Sequence, residues 1–429
     1  MTALEKAIRA ISERIRSMEN NPAPGQLKSD ILGAKLDLEE YMAIQDAWKE
    51  GKPFLVWQRT SMAKALGFQP LSPPTILQYV PEDIPSFRKK AEAMEMPSYS
   101  CDHVLMNNVA YASGEVPMPG MIFTASGGCP VTTYGHKALM EFYPEVPSYT
   151  IDYPLIYNEE SISYMDQQLQ EFVNYAEQNV PGVHYDRDYH LELLEADAKG
   201  LEFIRQDWKL RAGKPFPMSV EDGLAGGAMP IHRLPSQCPN IQRSLDYWRI
   251  RIDEIHERSE QLKKENAEPE SLRVMWVWGP PGYVKVNDLL REKNVVVPSV
   301  QVGPTPYYSG RKKGFLDETE FGRKLTPFEE EARMLLGYCW RQCGVEWVDE
   351  AISSCRDLEC DAIIISQFHD CTSTASLSRL IAERAENELG IPALIIDTKI
   401  YDVNVLPPDQ YRSMVSEFLD MILETRSFS

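Results

Sequence analysis

The sequence has 429 residues, 43% of them hydrophobic and 25% charged, the composition of an ordinary soluble globular protein with room for two α/β domains. Its 64 acidic and 44 basic residues give a formal net charge of -20. Such a surface repels nucleic acid and anionic membranes, whose recognition rests on clustered Lys and Arg. Lys89-Lys90, Lys263-Lys264 and Arg311-Lys312-Lys313 are too short for a nucleic-acid footprint, although the last could touch an anionic ligand.

In chain order, Leu4, Ile8, Ile11 and Ile15, then Leu32, Leu36, Leu38 and Tyr41, recur at helical spacing. Asn21 to Gly25 separates the two segments. Met1 to Glu19 is amphipathic and lacks the unbroken apolar run of a signal peptide, and no window approaches the about 18 apolar residues of a membrane span. A cytoplasmic location is therefore expected. Pro53–Trp57 reads as a first buried strand. Met121–Ala125 is a second, ended by Ser126-Gly127-Gly128-Cys129-Pro130 and followed by a helix from about Thr133 to Phe142. Pro147–Asp152 is the next strand candidate. Long helices are expected over about Glu159–Gln178, Asp186–Arg211 and Asn240–Asn266. Pro215–Pro239, rich in Gly and Pro, reads as a linker or ligand-lining loop.

The second half has a cleaner rhythm. Strand Arg273–Trp278 ends in Gly279-Pro280-Pro281-Gly282, and a helix runs to about Lys293. Strand Val295–Val302 follows, then helices over about Thr326–Cys343 and Trp347–Leu358. Strand Asp361–Ser366 leads to His369-Asp370-Cys371 and a helix over about Ser373–Leu389. Strand Pro392–Asp397 leads to a last helix over about Pro408–Thr425. Strands alternating with helices predict an α/β fold: two Rossmann-like, doubly wound parallel-sheet domains with N-terminal and inserted helices. The expected division is an N-terminal helical segment (1–50), a first domain (51–215), a linker with a long helix (216–270) and a second domain (271–429). Neither half carries a G-x-G-x-x-G turn or a Walker A sequence, so nicotinamide and nucleoside triphosphate sites of the usual kinds have no support.

The eight cysteines include no C-x-x-C pair, so a zinc ribbon or bacterial ferredoxin run is excluded. Any metal site must be assembled from residues far apart in sequence. Ligands of an open parallel sheet bind beyond the carboxyl ends of its strands. Cys129 and Cys371 both stand there, each just before a helix whose N-terminus would favour thiolate. The alternative is that each is a small buried hydrophobe. Cys101 precedes a predicted helix, Asp102 to Ala112, and alone says little. Cys339 and Cys343 read as core packing, Cys355 and Cys360 bracket a helix end, and Cys238 lies in the Pro/Gly-rich region.

Several segments together resemble the 2-hydroxyacyl-CoA dehydratase/benzoyl-CoA reductase family. They are Pro97–Cys101, Pro119–Cys129 and Tyr149–Pro154, then Asp361–Ile365, His369-Asp370-Cys371, Gly390–Leu394 and Tyr401-Asp402. The resemblance implies that Cys101, Cys129 and Cys371 hold an iron–sulfur cluster (4Fe-4S, or one half of a double cubane). Three protein ligands would leave one iron open to a substrate oxygen. It also implies an acyl-CoA substrate, a homologous second subunit or a second copy of the chain as dimer, and a separate ATP-hydrolysing iron–sulfur activator. Many relatives carry Arg soon after the first cysteine, where this chain has Asp102-His103, and Val56–Thr60 diverges as well.

His369 and His103, and also His136, are candidate proton carriers beside such a cluster, because imidazole titrates near neutrality; each has a structural alternative. Gly279–Tyr283, Gly303–Tyr308 and Gly223–Gly227 are candidate backbone donors to a thioester or phosphate, or simply turns. Three functions follow from the resemblance. The first is an acyl-CoA dehydratase or reductase using one-electron ketyl-radical chemistry. The second is a homodimeric double-cubane reductase of small molecules. The third is a non-catalytic companion subunit.

Overall fold

The computed structural model describes residues 1–56, 60–71, 73–97, 100–127, 129–226, 233–302, 320–337 and 344–427. The chain opens with α1 (Ala3–Asn20) and α2 (Lys28–Lys49), which pack on each other. A capping box starts α1: the Glu5 amide donates to Thr2 Oγ1 at 3.3 Å, and the Thr2 amide to Glu5 Oε2 at 2.9 Å. Then come β1 (Phe54–Val56), α3 (Ser61–Ala65), β2 (Gln69–Leu71), α4 (Pro73–Leu77), α5 (Ile84–Ala93), α6 (Asp102–Ala112), β3 (Met121–Ala125), α7 (Pro130–Phe142) and β4 (Ser148–Ile151). The middle holds α8 (Glu159–Asn179), α9 (Arg187–Leu210), α10 (Val220–Gly226) and α11 (Ile241–Lys264). The second half is β5 (Leu272–Val277), α12 (Asn287–Glu292), β6 (Val295–Gln301), α13 (Pro327–Gly337), α14 (Val345–Asp357), β7 (Ala362–Phe368), α15 (Thr372–Arg384), β8 (Ala393–Thr398) and α16 (Pro408–Ser427). No helix among the described residues is long and apolar enough to cross a membrane.

The strands form two four-stranded, all-parallel sheets of the same order, β2-β1-β3-β4 and β6-β5-β7-β8. Side chains alternate between the faces of a strand, and helices cover both faces of each sheet. Val56 and Ile122 pack with Leu4, Ile44, Phe87 and Val109. Leu55, Met121 and Phe123 turn to the other face, against Met62, Phe172 and Leu336. In the second sheet Val274, Trp276 and Ile364 meet Tyr411 and Leu419 of α16, while Met275, Val277 and Ile365 meet Trp347 and Ile381. The expected doubly wound α/β architecture is present in both halves.

One charged residue lies inside a buried strand. Arg273 of β5 is 1% exposed, and its guanidinium donates to the carbonyls of Leu358 at 2.9 Å, Arg211 at 2.6 Å and Gly213 at 3.1 Å. It also pairs with the buried carboxylate of Glu270, and together these contacts offset its desolvation and tie β5 to the ends of α9 and α14.

The structure departs from the sequence reading in a few places. β2, with Pro70 at its centre, was not anticipated; it is an edge strand of three residues, where proline is tolerated. Part of the expected linker is helix: α10 packs so closely on β6 that a β-carbon at Gly223 would collide with the Val297 carbonyl. β7 runs on to Phe368, and the helix after it turns into a π-helical segment, Ala385–Leu389, before Gly390 ends it at φ +68°. Cys339 and Cys343 lie outside the described residues, as do Gly303–Tyr308 and Arg311-Lys312-Lys313.

Candidate functional site

In each sheet the strand order reverses beside the first strand: β2 is added on one side of β1 and β3 on the other, and likewise β6 and β7 flank β5. The crevice beyond the carboxyl ends at such a switch point is where open parallel sheets bind ligands. β3 and β7 both deliver a cysteine there. Cys129 is the N-cap of α7 and Cys371 the N-cap of α15. Cys101 is the N-cap of α6.

Matching threonines fix the first two. Thr133 Oγ1 is 2.7 Å from the Ala125 carbonyl oxygen and 3.2 Å from that of Cys129, so it ties the helix start to the strand end. Thr374 Oγ1 does the same with the carbonyls of Phe368, at 2.9 Å, and Cys371, at 3.2 Å. Two glycines permit the close packing. A β-carbon at Gly127 would lie 2.9 Å from Tyr153 Cβ, and one at Gly135 of α7 would collide with Val104 of α6. The helices bearing Cys101 and Cys129 thus cross at a point that only a hydrogen side chain allows.

The three thiols lie within electrostatic reach of one another. Negative charge on Cys371 or Cys129 bears on Cys101, and charge on Cys129 bears on Cys371. The expected lowering of the thiol pKa is not found at Cys371. Burial pushes that thiol up, against donation from the Thr374 and Ser373 amides and the Thr374 hydroxyl. Cys101 is also pushed up, by burial first and then by the charge of Asp370; the His103 amide opposes this. The helix amides are aimed at sulfur, but desolvation outweighs them at Cys101 and Cys371. Among the described residues, no three His, Cys, Asp or Glu side chains stand close enough together to hold a single metal ion.

A buried ionic cluster ties the segments that carry Cys101 and Cys371. Asp102 is fully buried and accepts from Arg88 Nη1 at 2.6 Å, Lys399 Nζ at 3.3 Å and the Tyr401 amide at 3.2 Å. Its own amide donates to Asp370 Oδ2 at 3.2 Å, and Lys399 Nζ lies 3.8 Å from the same oxygen. Arg88 Nη2 reaches Asp402 at 3.0 Å. Burial raises the pKa of both Asp102 and Asp370, and Lys399 opposes the shift in each.

The histidines separate. His136 is buried, with Nδ1 3.1 Å from Thr124 Oγ1, and burial lowers its pKa to about 4; its structural alternative is the better account. His103 stacks on Tyr401 at 5.6 Å between ring centroids, with Nε2 3.4 Å from the Tyr401 hydroxyl, and burial lowers it too to about 4. His369 stays open, its side chain 44% exposed, with Nδ1 3.9 Å from Asp397. Cys355 and Cys360 pack in the core beside Trp347 and Ile363. Cys238 is buried, its carbonyl accepts from Lys64 at 2.6 Å, and burial pushes its thiol up to about 12.

Sequence reasoning missed Arg88, Lys399 and Trp278. Lys399 follows directly on the apolar strand β8, a charge where none is needed for solubility, and that was its available signal. Trp278 directly follows β5 at the switch point with φ +70°, and Gly279 continues at φ +71°. Its ring lies 6.1 Å from Trp347 and 6.0 Å from Phe368. A tryptophan in the left-handed region is strained, and such strain collects at functional sites.

Fold and site together define a two-sheet α/β protein with a thiol at each switch point and a third thiol brought alongside. The sequence profile of the family described as 2-hydroxyglutaryl-CoA dehydratase, D-component, matches residues 62–422. That is most of the chain, and the chain belongs to this family. Family membership makes it an enzyme component of the dehydratase type. No curated protein matches the sequence.

Proposed function

We propose that the chain is the iron–sulfur subunit of an activator-dependent acyl-CoA enzyme, with Cys101, Cys129 and Cys371 as the cluster ligands. The observation that carries this is three helix-capping cysteines from distant parts of the chain that lie within electrostatic reach of one another, in a member of the dehydratase family. An all-thiolate donor set suits iron–sulfur chemistry. A cluster also spreads its irons over separate corners, so its ligands stand further apart than those of a single ion. When bound, the cluster would supply single electrons to a CoA thioester and, through an open iron, a Lewis acid for the substrate's hydroxyl.

The chain's own residues then have distinct tasks. The amides of His103, Ser373 and Thr374 donate to sulfur and favour the thiolate form that a metal requires. His369, exposed two residues before Cys371, is the better placed proton carrier; His103, held neutral by burial, is the second. The partners in this reading are a homologous subunit or a second copy of the chain, and an ATP-hydrolysing iron–sulfur activator. The location is cytoplasmic. Each sheet with its helices forms one domain, divided near residues 216–270.

The test is anaerobic incubation with an activator, ATP and a panel of 2-hydroxyacyl- and aromatic acyl-CoA thioesters. Enoyl-CoA formation identifies a dehydratase and ring reduction a reductase. Failure with every thioester, together with reduction of small molecules by a homodimer, selects the double-cubane reading.

A further inference from the structure

The ionic cluster at the seam lies beside the candidate ligands and is built from both halves of the molecule. Asp102 follows Cys101, Asp370 precedes Cys371, and Lys399, only 2% exposed, has its ammonium between their carboxylates at 3.3 and 3.8 Å. The Asp102 amide donates to Asp370 at 3.2 Å, so backbone and side chain cross the same gap. Arg88 closes the outer side, bridging Asp102 to Asp402. Charges buried at this depth incur a large desolvation cost, and apolar packing of equal volume would commonly serve stability as well. What apolar packing lacks is direction: an ammonium between two carboxylates fixes their separation and orientation. The fixed object here is the gap between two cysteines that no strand pairing spans.

We propose that Lys399 is a positioning residue: with Asp102 and Asp370 it sets the separation of Cys101 and Cys371 across the seam. Its role is geometric and does not require contact with substrate. The iron readout below rests on the cluster reading; the thiol readout does not.

The test uses the full chain with Lys399→Met/Asp370→Asn, which removes one positive and one negative charge together and leaves Asp102 paired with Arg88. Lys399→Gln serves as the second variant should the pair fail to fold, and Lys399→Arg as the conservative rescue. In metal-free protein, a short bifunctional thiol reagent should bridge Cys101 to Cys371, as mapped by peptide mass spectrometry. The bridge yield should fall severalfold in the variant at unchanged far-UV circular dichroism and return with Lys399→Arg. In anaerobically loaded protein, iron release to a chelator should be about ten- to a hundredfold faster in the variant, the usual effect of losing an outer-shell partner. Bridging and iron release equal to wild type would overturn the proposal. Wild type that binds no iron but shows the bridging result would remove the cluster and leave the positioning role standing.

Discussion

The two sheets share a strand order and a device at the switch point, yet they are built differently. In the second, strands of six or seven residues are almost wholly buried in β5, β6 and β7. In the first, β1 and β2 have three residues each, and the mass comes from helices α1, α2 and α4 to α6 packed on one face. Both sheets hold a cysteine at a helix start with a threonine bonded back to the strand end. To the site the first adds Cys101, on α6, while the second supplies Lys399 and Asp370. The long-stranded sheet thus acts as frame and brings the counter-charges. The short-stranded sheet brings the additional thiol on a helix whose placement depends on side-chain packing at Gly135 and on the ions at Asp102.

The largest expected effect falls on the shared device. Cys371→Ser, and equally Cys101→Ser or Cys129→Ser, should lose most bound iron; full retention by Cys371→Ser would break the correspondence between the sheets. Next comes the frame. Trp276 is fully buried, donates to Ser366 Oγ at 3.2 Å and stacks on Tyr411, so Trp276→Ala should cost about 3–5 kcal/mol in thermal or denaturant unfolding.

In the first half, pH should act through His136, whose pKa burial lowers to about 4 from the ordinary imidazole value of 6.5. Between those values the unfolded chain takes up a proton that the native chain refuses. The contribution is complete above 6.5 and is lost as pH falls toward 4, by at most about 3 kcal/mol. His136→Asn should flatten that part of the stability profile, and an unchanged profile would mean that the ring is not held neutral. Gly135→Ala, which drives a methyl group into Val104, should destabilise by about 1–3 kcal/mol and loosen iron binding with it. The smallest expected effect on iron is that of Cys355→Ser: the residue packs beside Trp347 and Ile363, away from any proposed ligand role, and iron content should not change.

How much of this was legible in the sequence differed between the halves for the same physical reason. Long apolar strands flanked by glycine and proline, such as Leu272–Val277 and Val295–Gln301, announce themselves within a residue or two. Gln69–Leu71 does not, because three residues with a central proline carry no period and owe their pairing to the neighbour Phe54–Val56. Cys129 and Cys371 were readable from strand-then-helix order alone. Cys101 needed the family resemblance, since its distance from the others is set by tertiary packing. Of the ionic cluster only Lys399, a charge directly after strand β8, carries a signal in the sequence; Arg88, Asp102 and Asp370 are ordinary charges until folding places them together. The thiol pKa expectation failed at Cys371 because helix position is visible in sequence and desolvation is not.

The most direct measurement is iron and acid-labile sulfide per chain in protein purified without oxygen, with EPR after strong reduction. About four irons per chain with matching sulfide is the predicted result, for a single cubane and for one half of a double cubane shared by two chains alike. Protein that carries no iron after anaerobic handling and reconstitution would contradict the account, and the three cysteines would then have to be explained without a cluster.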